Sequence, residues 1–406
     1  MRNLSEIVKS EENKFCLLIL LFILMLAFGT CIEPFRPELS KHDQESQLVV
    51  ESTITDEPGP FKVRLTKSGS VYTGLDTLKF DPITNAFVHI SDDKGNIFPL
   101  YYVEKGWYET SDKCLYGIPG YIYTLHITTE DGNQYESSLQ LMPDVPPIDS
   151  VFYEEVKQTH IEEENVYMEN WLNILLNSQA PSDGLHYFKW EFEETWEFEM
   201  PSYIVVNHGG GEGAIPPSIE TVNIDDERRH CWVTEPSKNI LVESTIGKQD
   251  NKIRHFLLQS IGPDGDKLNI RYSILVKQYS INKELNNYFK ILNDVKEATG
   301  GIYSKIPGKV TGNITCLNNG EKALGYFFAS SVSSKRIFIN HNDTKLERGN
   351  GYPNCGWTTA PPPPGVVFPI YGTYIDKDGN IMVVYSDKDY CTDCRVMGTK
   401  VKPDFW

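Results

Sequence analysis

The sequence predicts a mainly β protein, with an N-terminal Ig-like β-sandwich and a larger β-rich sandwich or barrel-like domain that carries one amphipathic helix. The composition favours short strands and turns, because the chain has 22 Tyr, 19 Phe and 7 Trp together with 30 Gly and 24 Pro. Strand-like runs of alternating apolar and polar residues recur along the chain. One segment, near residues 282–299, shows the apolar spacing of a helix.

Residues 1–30 have the features of a lipoprotein signal peptide. The apolar run 15–28 is about 14 residues long, whereas a helix that spans a bilayer needs about 20. Gly29 and Thr30 precede Cys31, the arrangement at which a bacterial lipoprotein is cleaved and acylated. We therefore expect a lipid anchor at Cys31 and a tether over residues 31–44. Ordinary cleavage and an uncleaved anchor are the alternatives.

The charge of the chain narrows the choice of partners. The formal net charge is −18, and no run of five basic residues occurs. Nucleic acid and anionic lipid headgroups are therefore poor partners, because both require clustered positive charge.

Residues 45–142 read as the Ig-like sandwich. Runs 48–55 and 61–68 are strand-like and flank the turn sequence DEPGP. Two hairpins are predicted to turn at Gly95 and at Gly132, because both glycines follow polar turn residues and tolerate positive φ. About seven strands result, which is typical of a sandwich. The proline-rich segment 143–150 is the predicted linker.

The larger β-rich domain is predicted over residues 151–406. In its clearest strand, 186–200, aromatic residues occupy even positions, so that face is predicted to be buried. The opposite face carries a row of carboxylates, Glu191, Glu193, Glu197 and Glu199. We interpret them as a solvated strand face. A glycosidase pair is the alternative, but it requires one acid kept protonated by an apolar setting.

The predicted helix near 282–299 begins after a capping residue, Ser280 or Asn282, and ends at Gly300 and Gly301. Its apolar stripe is expected to pack on a sheet. The two C-terminal aromatic residues, Phe405 and Trp406, are expected to pack onto this same domain.

Export makes disulfides the default state of the cysteines that follow Cys31. These candidates are Cys114, Cys231, Cys316, Cys355, Cys391 and Cys394. Pairing of Cys355 with Cys391 or Cys394 is preferred, because a loop of roughly 36 residues would contribute roughly 4 kcal/mol. Zinc bound through these three cysteines would lack an evident fourth ligand.

Signatures of catalysis or metal binding are few. The sequence contains no G-x-S-x-G, no H-E-x-x-H and no Walker loop. The glycine-rich run 208–213 is interpreted as a loop, and His230 beside Cys231 as a buried structural pair rather than as metal ligands. We expect no catalytic residue, no metal and no cofactor.

Several segments together resemble one family. They are CIEPFRPEL, LVVESTITDEPGPFKVRL, CWVTEPS, VKQYSINKELNNYFK, GNITC, LGYFFAS and CTDCR with KPDFW, in this order. The chain is similar in these segments to the domain-of-unknown-function 4249 family, predicted outer-membrane lipoproteins of Gram-negative bacteria often encoded beside TonB-dependent transporters. The resemblance implies lipidation at Cys31 and an accessory role in nutrient uptake at the cell surface. It supplies no catalytic residues.

Two classes of function follow. The first is a non-enzymatic, surface-anchored lipoprotein that binds a ligand, a TonB-dependent transporter or both, through exposed aromatic residues of the second domain. The second is a hydrolase that acts on a surface polymer through the four glutamates of segment 186–200. A structural adhesin is a third and weaker alternative.

Overall fold

The computed structural model is mainly β, as the sequence predicts. It describes residues 47–68, 81–113, 115–162, 165–199, 204–207, 218–221, 229–263, 266–297, 310–346, 357–358, 370–375, 381–386 and 393–406. Within these ranges one α-helix, α1 (Lys283–Glu297), accompanies the strands. No helix in this part of the chain has the length and apolar character needed to cross a membrane.

The strands fall into three groups along the chain. Those of the first region are β1 (Leu48–Thr55), β2 (Lys62–Lys67), β3 (Asp81–Pro82), β4 (Phe87–Asp92), β5 (Ile97–Tyr102), β6 (Trp107–Thr110), β7 (Ile122–Thr128), β8 (Gln134–Ser137) and β9 (Gln140–Leu141). The middle of the chain forms β10 (Ile148–Glu162), β11 (Asn165–Gln179), β12 (Tyr187–Glu199), β13 (Ile204–Asn207), β14 (Ser218–Thr221), β15 (His230–Pro236), β16 (Leu241–Ser244), β17 (Lys252–Ile261) and β18 (Arg271–Ile281). After α1 follow β19 (Ile314–Cys316), β20 (Leu324–Ser330), β21 (Val332–Asn340), β22 (Trp357–Thr358), β23 (Ile370–Ile375) and β24 (Ile381–Ser386).

The first sheet has 11 strands, in the order β19-β8-β7-β4-β5-β6-β2-β1-β20, with β3 beside β2 and β9 beside β7. The predicted hairpins form, with Gly95 at φ 88° and Gly132 at φ 83° in their turns. Alternate residues of each strand point inward, and they bury a mainly aliphatic core that includes Val50, Val63 and Leu125.

Asn313 brings the two ends of this sheet together. Its Nδ2 donates to the Phe327 carbonyl on β20 at 2.7 Å, and the Phe327 amide donates to its Oδ1 at 2.9 Å. The next residue after Asn313 begins β19, so one side chain joins the last strand to the first. The sheet is therefore barrel-like and nearly closed.

The Ig-like sandwich predicted for residues 45–142 is not confirmed. The strands of that segment form one continuous hydrogen-bonded sheet, and β19 and β20 extend it. Both of these strands lie in the segment predicted as the second domain, residues 151–406. The outermost pairing, β1 with β20, is parallel, with Val49 opposite Leu324. The alternation of a strand reveals which of its faces is buried, but not which distant strand pairs with it. The pairing of β20 with β1 therefore could not be predicted.

A β-sandwich follows, as predicted for the larger region. One sheet has three strands, β10-β11-β17, and the other has five, β15-β12-β18-β21 with β16 also paired to β12. The buried side chains of both sheets form a single apolar cluster. Across it, the rings of Trp190 and Phe256 lie 4.4 Å apart between centroids. Two smaller sheets, β13-β14 and β22-β24-β23, complete the described strands.

Helix α1 confirms the helical pattern of the sequence. Asn282 caps it, because its Oδ1 accepts a hydrogen bond from the Leu285 amide at 2.8 Å. Leu285 is 1% exposed, and Phe289 packs against the same small cluster as Phe328 of β20. The helix therefore covers a sheet face, as expected. The predicted ending at Gly300 and Gly301 lies outside the described residues.

Candidate functional site

The odd face of β12 carries the four glutamates that the sequence singled out. Glu193 and Glu199 are exposed, whereas Glu191 and Glu197 are half-buried. Each carboxylate pairs with a basic side chain of its own: Glu191 with Lys189, Glu193 with Arg336 at 3.7 Å, Glu197 with His230 at 2.6 Å and Glu199 with Arg229 at 2.9 Å. The row is therefore a set of ion pairs rather than a group of free acids.

Glu191 shows how its contacts change the pKa of a carboxyl group on this face. Burial raises the pKa of its carboxyl, but the Lys189 ammonium and the Tyr279 hydroxyl, 3.0 Å away, outweigh burial and hold that pKa below its usual value. A glycosidase acid needs the opposite shift. This carboxyl is therefore ionised at neutral pH and unsuited to protonating a leaving group.

The solvated face predicted for β12 is only partly correct. Lys189 belongs to that face, yet it is buried at 9% exposure. Its ammonium lies 5.2 Å from the ring centroids of Tyr279 and of Phe289 and 5.4 Å from that of Phe328. Helix α1 and strand β20 thus cover one end of the face, a contact that the alternation of β12 alone does not reveal.

The even face of β12 is buried, as predicted, but it also contains a glutamate among its aromatic residues. Glu194 is 4% exposed and accepts a hydrogen bond from the Tyr272 hydroxyl at 2.9 Å. The Lys267 ammonium pairs with the same carboxylate. A glutamate at an even position among aromatic residues was the available signal, since a buried carboxylate requires a partner.

The tail cysteine Cys394 forms a disulfide with Cys231, with 5.8 Å between their Cα atoms. The predicted pairing of Cys355 with Cys394 is therefore wrong. The reason is that the tail pairs with β15, where the amides and carbonyls of Trp232 and Thr399 exchange hydrogen bonds of 2.8 and 2.9 Å. Cys316 is free and buried. The remaining cysteine candidates lie outside the described residues: Cys31, Cys114, Cys355 and Cys391.

His230 and Cys231 do not form the buried pair that the sequence suggested. His230 is about half exposed and pairs with Glu197, while Cys231 forms the disulfide with Cys394. Within the described ranges no three His, Cys, Asp or Glu side chains gather as a metal site would require. The glycine-rich run 208–213 lies outside those ranges.

The C-terminal aromatic residues pack on the five-stranded sheet, as expected. Trp406 donates from Nε1 to Glu197 at 3.3 Å and lies edge-on to Phe338, with 5.9 Å between ring centroids. The Arg336 guanidinium stacks on Phe405 at 3.5 Å. The tail therefore covers the other end of the β12 odd face.

Two pockets lie at opposite ends of β17, the edge strand of the three-stranded sheet. We call the first the bulge pocket; its volume is about 290 Å³, and it is lined by Asp149, Ser150, Asn177, Ser178 and residues 252–255. Here the pairing of β11 with β17 shifts, so that Arg254 and His255 lie opposite Asn177 alone. His255 has φ 51°, an uncommon value for a non-glycine residue.

The second pocket, the tryptophan pocket, also has a volume of about 290 Å³ and is lined by Trp171, residues 259–263 and Lys267. The ring of Trp171 lies against Gly262, where an added Cβ would be 3.0 Å from ring carbons. Lys267 is already paired with Glu194 and lies 4.7 Å from the Trp196 ring centroid. The lining thus offers an aromatic surface without an unpaired charge.

Exposed aromatic residues concentrate on the first sheet rather than on the second region. Phe87 of β4 and Tyr101 of β5 are 61% and 60% exposed, and Ile97 at the start of β5 is 64% exposed. All three point away from the buried Val88 and Leu100 of the same strands. We call them the first-sheet patch. In the second region, Phe405 is the one described aromatic residue among the exposed large hydrophobic side chains.

A family model described as "Domain of unknown function (DUF4249)" matches residues 32–336. This match covers well over half of the chain and confirms the resemblance seen in the sequence. No curated protein matches the chain.

Proposed function

This chain belongs to the DUF4249 family, and from that membership we propose that it is a non-enzymatic, surface-anchored outer-membrane lipoprotein that binds a ligand and assists a TonB-dependent nutrient transporter. The anchor rests on the sequence, where a short apolar run precedes Gly29, Thr30 and Cys31. Such an anchor holds the protein on the membrane surface that its partner occupies. Confinement of this kind can bring the effective concentration of a partner into the millimolar range, so a weak interface suffices.

The single observation that carries the non-enzymatic part is the pairing of all four β12 glutamates with basic side chains. Glycoside hydrolysis needs one protonated and one ionised carboxyl group in different environments. The four acids differ in exposure, but each of them contacts a basic side chain. The same molecule offers polar and aromatic lining groups in its two β17 pockets, which favours binding over catalysis.

The first-sheet patch supports a protein partner. Phe87, Ile97 and Tyr101 expose apolar side chains on one face of two adjacent strands, and exposed apolar surface of this kind marks interaction sites. We propose that this patch contacts the transporter. This choice replaces the aromatic residues of the second region, which are largely buried.

The test is purification of the tagged protein in mild detergent from its native membrane. We expect a TonB-dependent transporter to accompany it and the double variant Phe87→Ser, Tyr101→Ser to lose most of that transporter. Leu139→Ser is the matched control, because Leu139 is 70% exposed but lies outside the patch. Cys31→Ala should release the protein from the membrane.

Two results would contradict the proposal. One is reproducible recovery of the protein without any such transporter. The other is turnover of a surface polymer that Glu193→Gln abolishes, which would favour the hydrolase instead. We expect Glu193→Gln to leave function unchanged, since that side chain is exposed and pairs with Arg336 at 3.7 Å.

A further inference from the structure

Two histidines lie stacked on the outer face of the first sheet. His89 of β4 stands directly opposite His126 of β7, and their rings are nearly parallel, with 10° between the planes and 4.6 Å between the centroids. The ring of Phe87 lies 5.3 Å from that of His89 between centroids. Phe87 belongs to the first-sheet patch, so the two stacked histidines border the surface proposed to contact the transporter.

The two histidines differ in the polar groups around them. His126 has a partner at each ring nitrogen, since Nε2 lies 2.9 Å from the Ser91 hydroxyl and Nδ1 lies 3.4 Å from the Glu136 carboxylate. His89 Nδ1 is buried and has no hydrogen-bond partner among the described residues. No other described histidine side chain has a buried ring nitrogen in this state. A positive charge on His126 would lie beside a carboxylate, whereas no described carboxylate pairs with His89.

This difference makes the charged form of His89 unfavourable. A neutral imidazole can carry its one proton on Nε2 and leave Nδ1 without one, but an imidazolium carries a proton on both nitrogens. Protonated His89 would therefore bury an N–H group without an acceptor and place its charge against the His126 ring. Burial, followed by repulsion from the charge of His126, lowers the pKa of His89 below its ordinary value of 6.5.

We propose that the stacked pair of His89 and His126 makes docking at the first-sheet patch depend on pH: the patch binds its apolar partner while His89 is neutral, and protonation of His89 weakens that contact. The inference rests on the proposed function and names the regulation of its docking surface. Docking removes water from Phe87 and from the adjacent His89, and a charged side chain loses more favourable hydration than a neutral one. The docked complex therefore favours neutral His89.

The direction and range of the effect follow from proton linkage. The docked state binds fewer protons at His89 than the separated protein, so acid favours separation. Docking is at full strength near pH 7.5 and is lost as the pH falls below about 6.5, because the pKa of His89 lies below that value. For one linked proton, the affinity falls by at most about tenfold per pH unit.

Other titratable groups lie around the stacked pair, on the flanking strands and in the hairpin turns at their ends. On the strands and just after β19 they are Tyr101, Glu136, the ion pair of Glu109 with Lys62, and Lys322, which donates to Thr315. In the turns they are the ion pair of Asp93 with Lys94, and the carboxylates of Asp92, Glu130 and Asp131, which accept hydrogen bonds within or beside their turns. Histidine is the one side-chain type in this set whose ordinary pKa lies between pH 5 and 8, so it governs the response in that range.

The first test measures the charge state of His89 directly. Hydrogen–deuterium exchange at the histidine C2 position, followed by mass spectrometry of the full, detergent-solubilised chain, gives the titration midpoint of each histidine. We expect a midpoint below 6.5 for His89. His126→Ala should raise it toward 6.5, since the variant removes both the ring stacked on His89 and its charge. A wild-type midpoint at or above 6.5, or one that His126→Ala leaves unchanged, would overturn the inference.

The second test repeats the purification of the tagged protein in mild detergent at pH 7.5 and at pH 5.5. We expect the transporter recovered with the wild type to fall by up to about tenfold at the lower pH. His89→Phe keeps an aromatic ring in the stack but cannot be protonated, so its recovery should be equal at both pH values. His230→Phe is the matched control, because it makes the same substitution at a half-exposed histidine of the sandwich, and it should show the same fall as the wild type.

The outcomes separate this inference from the proposed function. A fall in recovery that His89→Phe retains would place the pH sensitivity in the transporter and overturn the inference, as would equal recovery with the wild type at both pH values. Absence of the transporter at both pH values would instead contradict the proposed function, and with it the regulated docking. The exchange measurement uses this chain alone, so it reports on the stacked pair whether or not a transporter is recovered.

Discussion

The first sheet and the sandwich enclose their cores in different ways. The first sheet curls until Asn313 joins its two ends, and its core is mainly aliphatic. The sandwich stacks two separate sheets over aromatic side chains such as Trp190, Phe192 and Phe198. Because the sandwich buries its aromatic residues while the first sheet exposes Phe87 and Tyr101, aromatic composition alone does not locate a binding surface. Which residues are left outside depends on how each core is closed.

If aromatic packing holds the two sheets of the sandwich together, Trp190→Ala should have the largest effect on stability. Trp190 is fully buried, its ring lies against Phe256 of the opposite sheet, and its Nε1 donates to Gln278 at 2.9 Å. We expect a loss of about 3–5 kcal/mol in the free energy of unfolding. Chemical denaturation followed by tryptophan fluorescence and circular dichroism would measure it.

Trp190→Phe is the companion variant, since it keeps a ring but leaves the Gln278 oxygen unpaired; it should cost less than the alanine change. Leu65→Ala provides the comparison in the first sheet, where Leu65 is equally buried. A larger loss for Leu65→Ala than for Trp190→Ala would contradict the view that aromatic packing dominates the sandwich.

Closure of the first sheet is tested by Asn313→Ala. The variant leaves the buried amide and carbonyl of Phe327 without their side-chain partner, so we expect a loss of about 2–4 kcal/mol. Hydrogen exchange at the Phe327 amide should accelerate at the same time. Asn319→Ala is the control, because the exposed Asn319 side chain accepts a single hydrogen bond in a turn. Equal losses from the two variants would mean that Asn313 does not close the sheet.

The sequence predicts local structure well in this protein because the signals are local. Asn282 is followed by an apolar stripe at helical spacing, and it caps α1. Gly95 and Gly132 supply the positive φ that their hairpins need. The even positions of β12 are buried because alternation gives the face of a strand directly.

Long-range partners could not be predicted, for a physical reason. The pattern of β20 would suit a neighbour in either sheet, so its parallel pairing with β1 is not encoded in alternation. The Cys231–Cys394 disulfide likewise depends on where the tail docks, and connectivity is not readable from spacing. The bulge pocket needs a two-against-one pairing between β11 and β17, which neither strand shows alone. Cys31 remains a prediction of the sequence.

The smallest effect concerns the hydrogen-bonded pair of Tyr272 and Glu194 inside the sandwich core. The described core of the first sheet also buries tyrosines, Tyr108 and Tyr123, but it buries no carboxylate. Tyr272 is fully buried and donates to Glu194 at 2.9 Å, and burial followed by the Glu194 carboxylate raises the pKa of its hydroxyl well above the usual range. Tyr272→Phe removes a hydrogen bond to a charged group. At neutral pH we expect a loss of about 1.5–3 kcal/mol.

The pH dependence of the free energy of unfolding distinguishes the Tyr272 hydrogen bond from the packing of its ring. In the unfolded chain a tyrosine loses its proton near pH 10, whereas folded Tyr272 keeps it, so the folded state of the wild type is destabilised as pH rises above about 10. The contribution falls by about 1.4 kcal/mol per pH unit until the folded pKa is reached. Tyr272→Phe lacks that titration, so its deficit in stability relative to wild type should shrink above pH 10, as denaturation midpoints at pH 8, 10 and 11 would show.

Tyr101→Phe is the control. It removes a hydroxyl from an exposed side chain of the first sheet, and its stability should follow that of the wild type at all three pH values. A deficit for Tyr272→Phe that stays constant with pH would mean that the hydroxyl of folded Tyr272 titrates like an exposed one. The sandwich core would then shield this hydroxyl from solvent no better than the surface of the first sheet shields Tyr101.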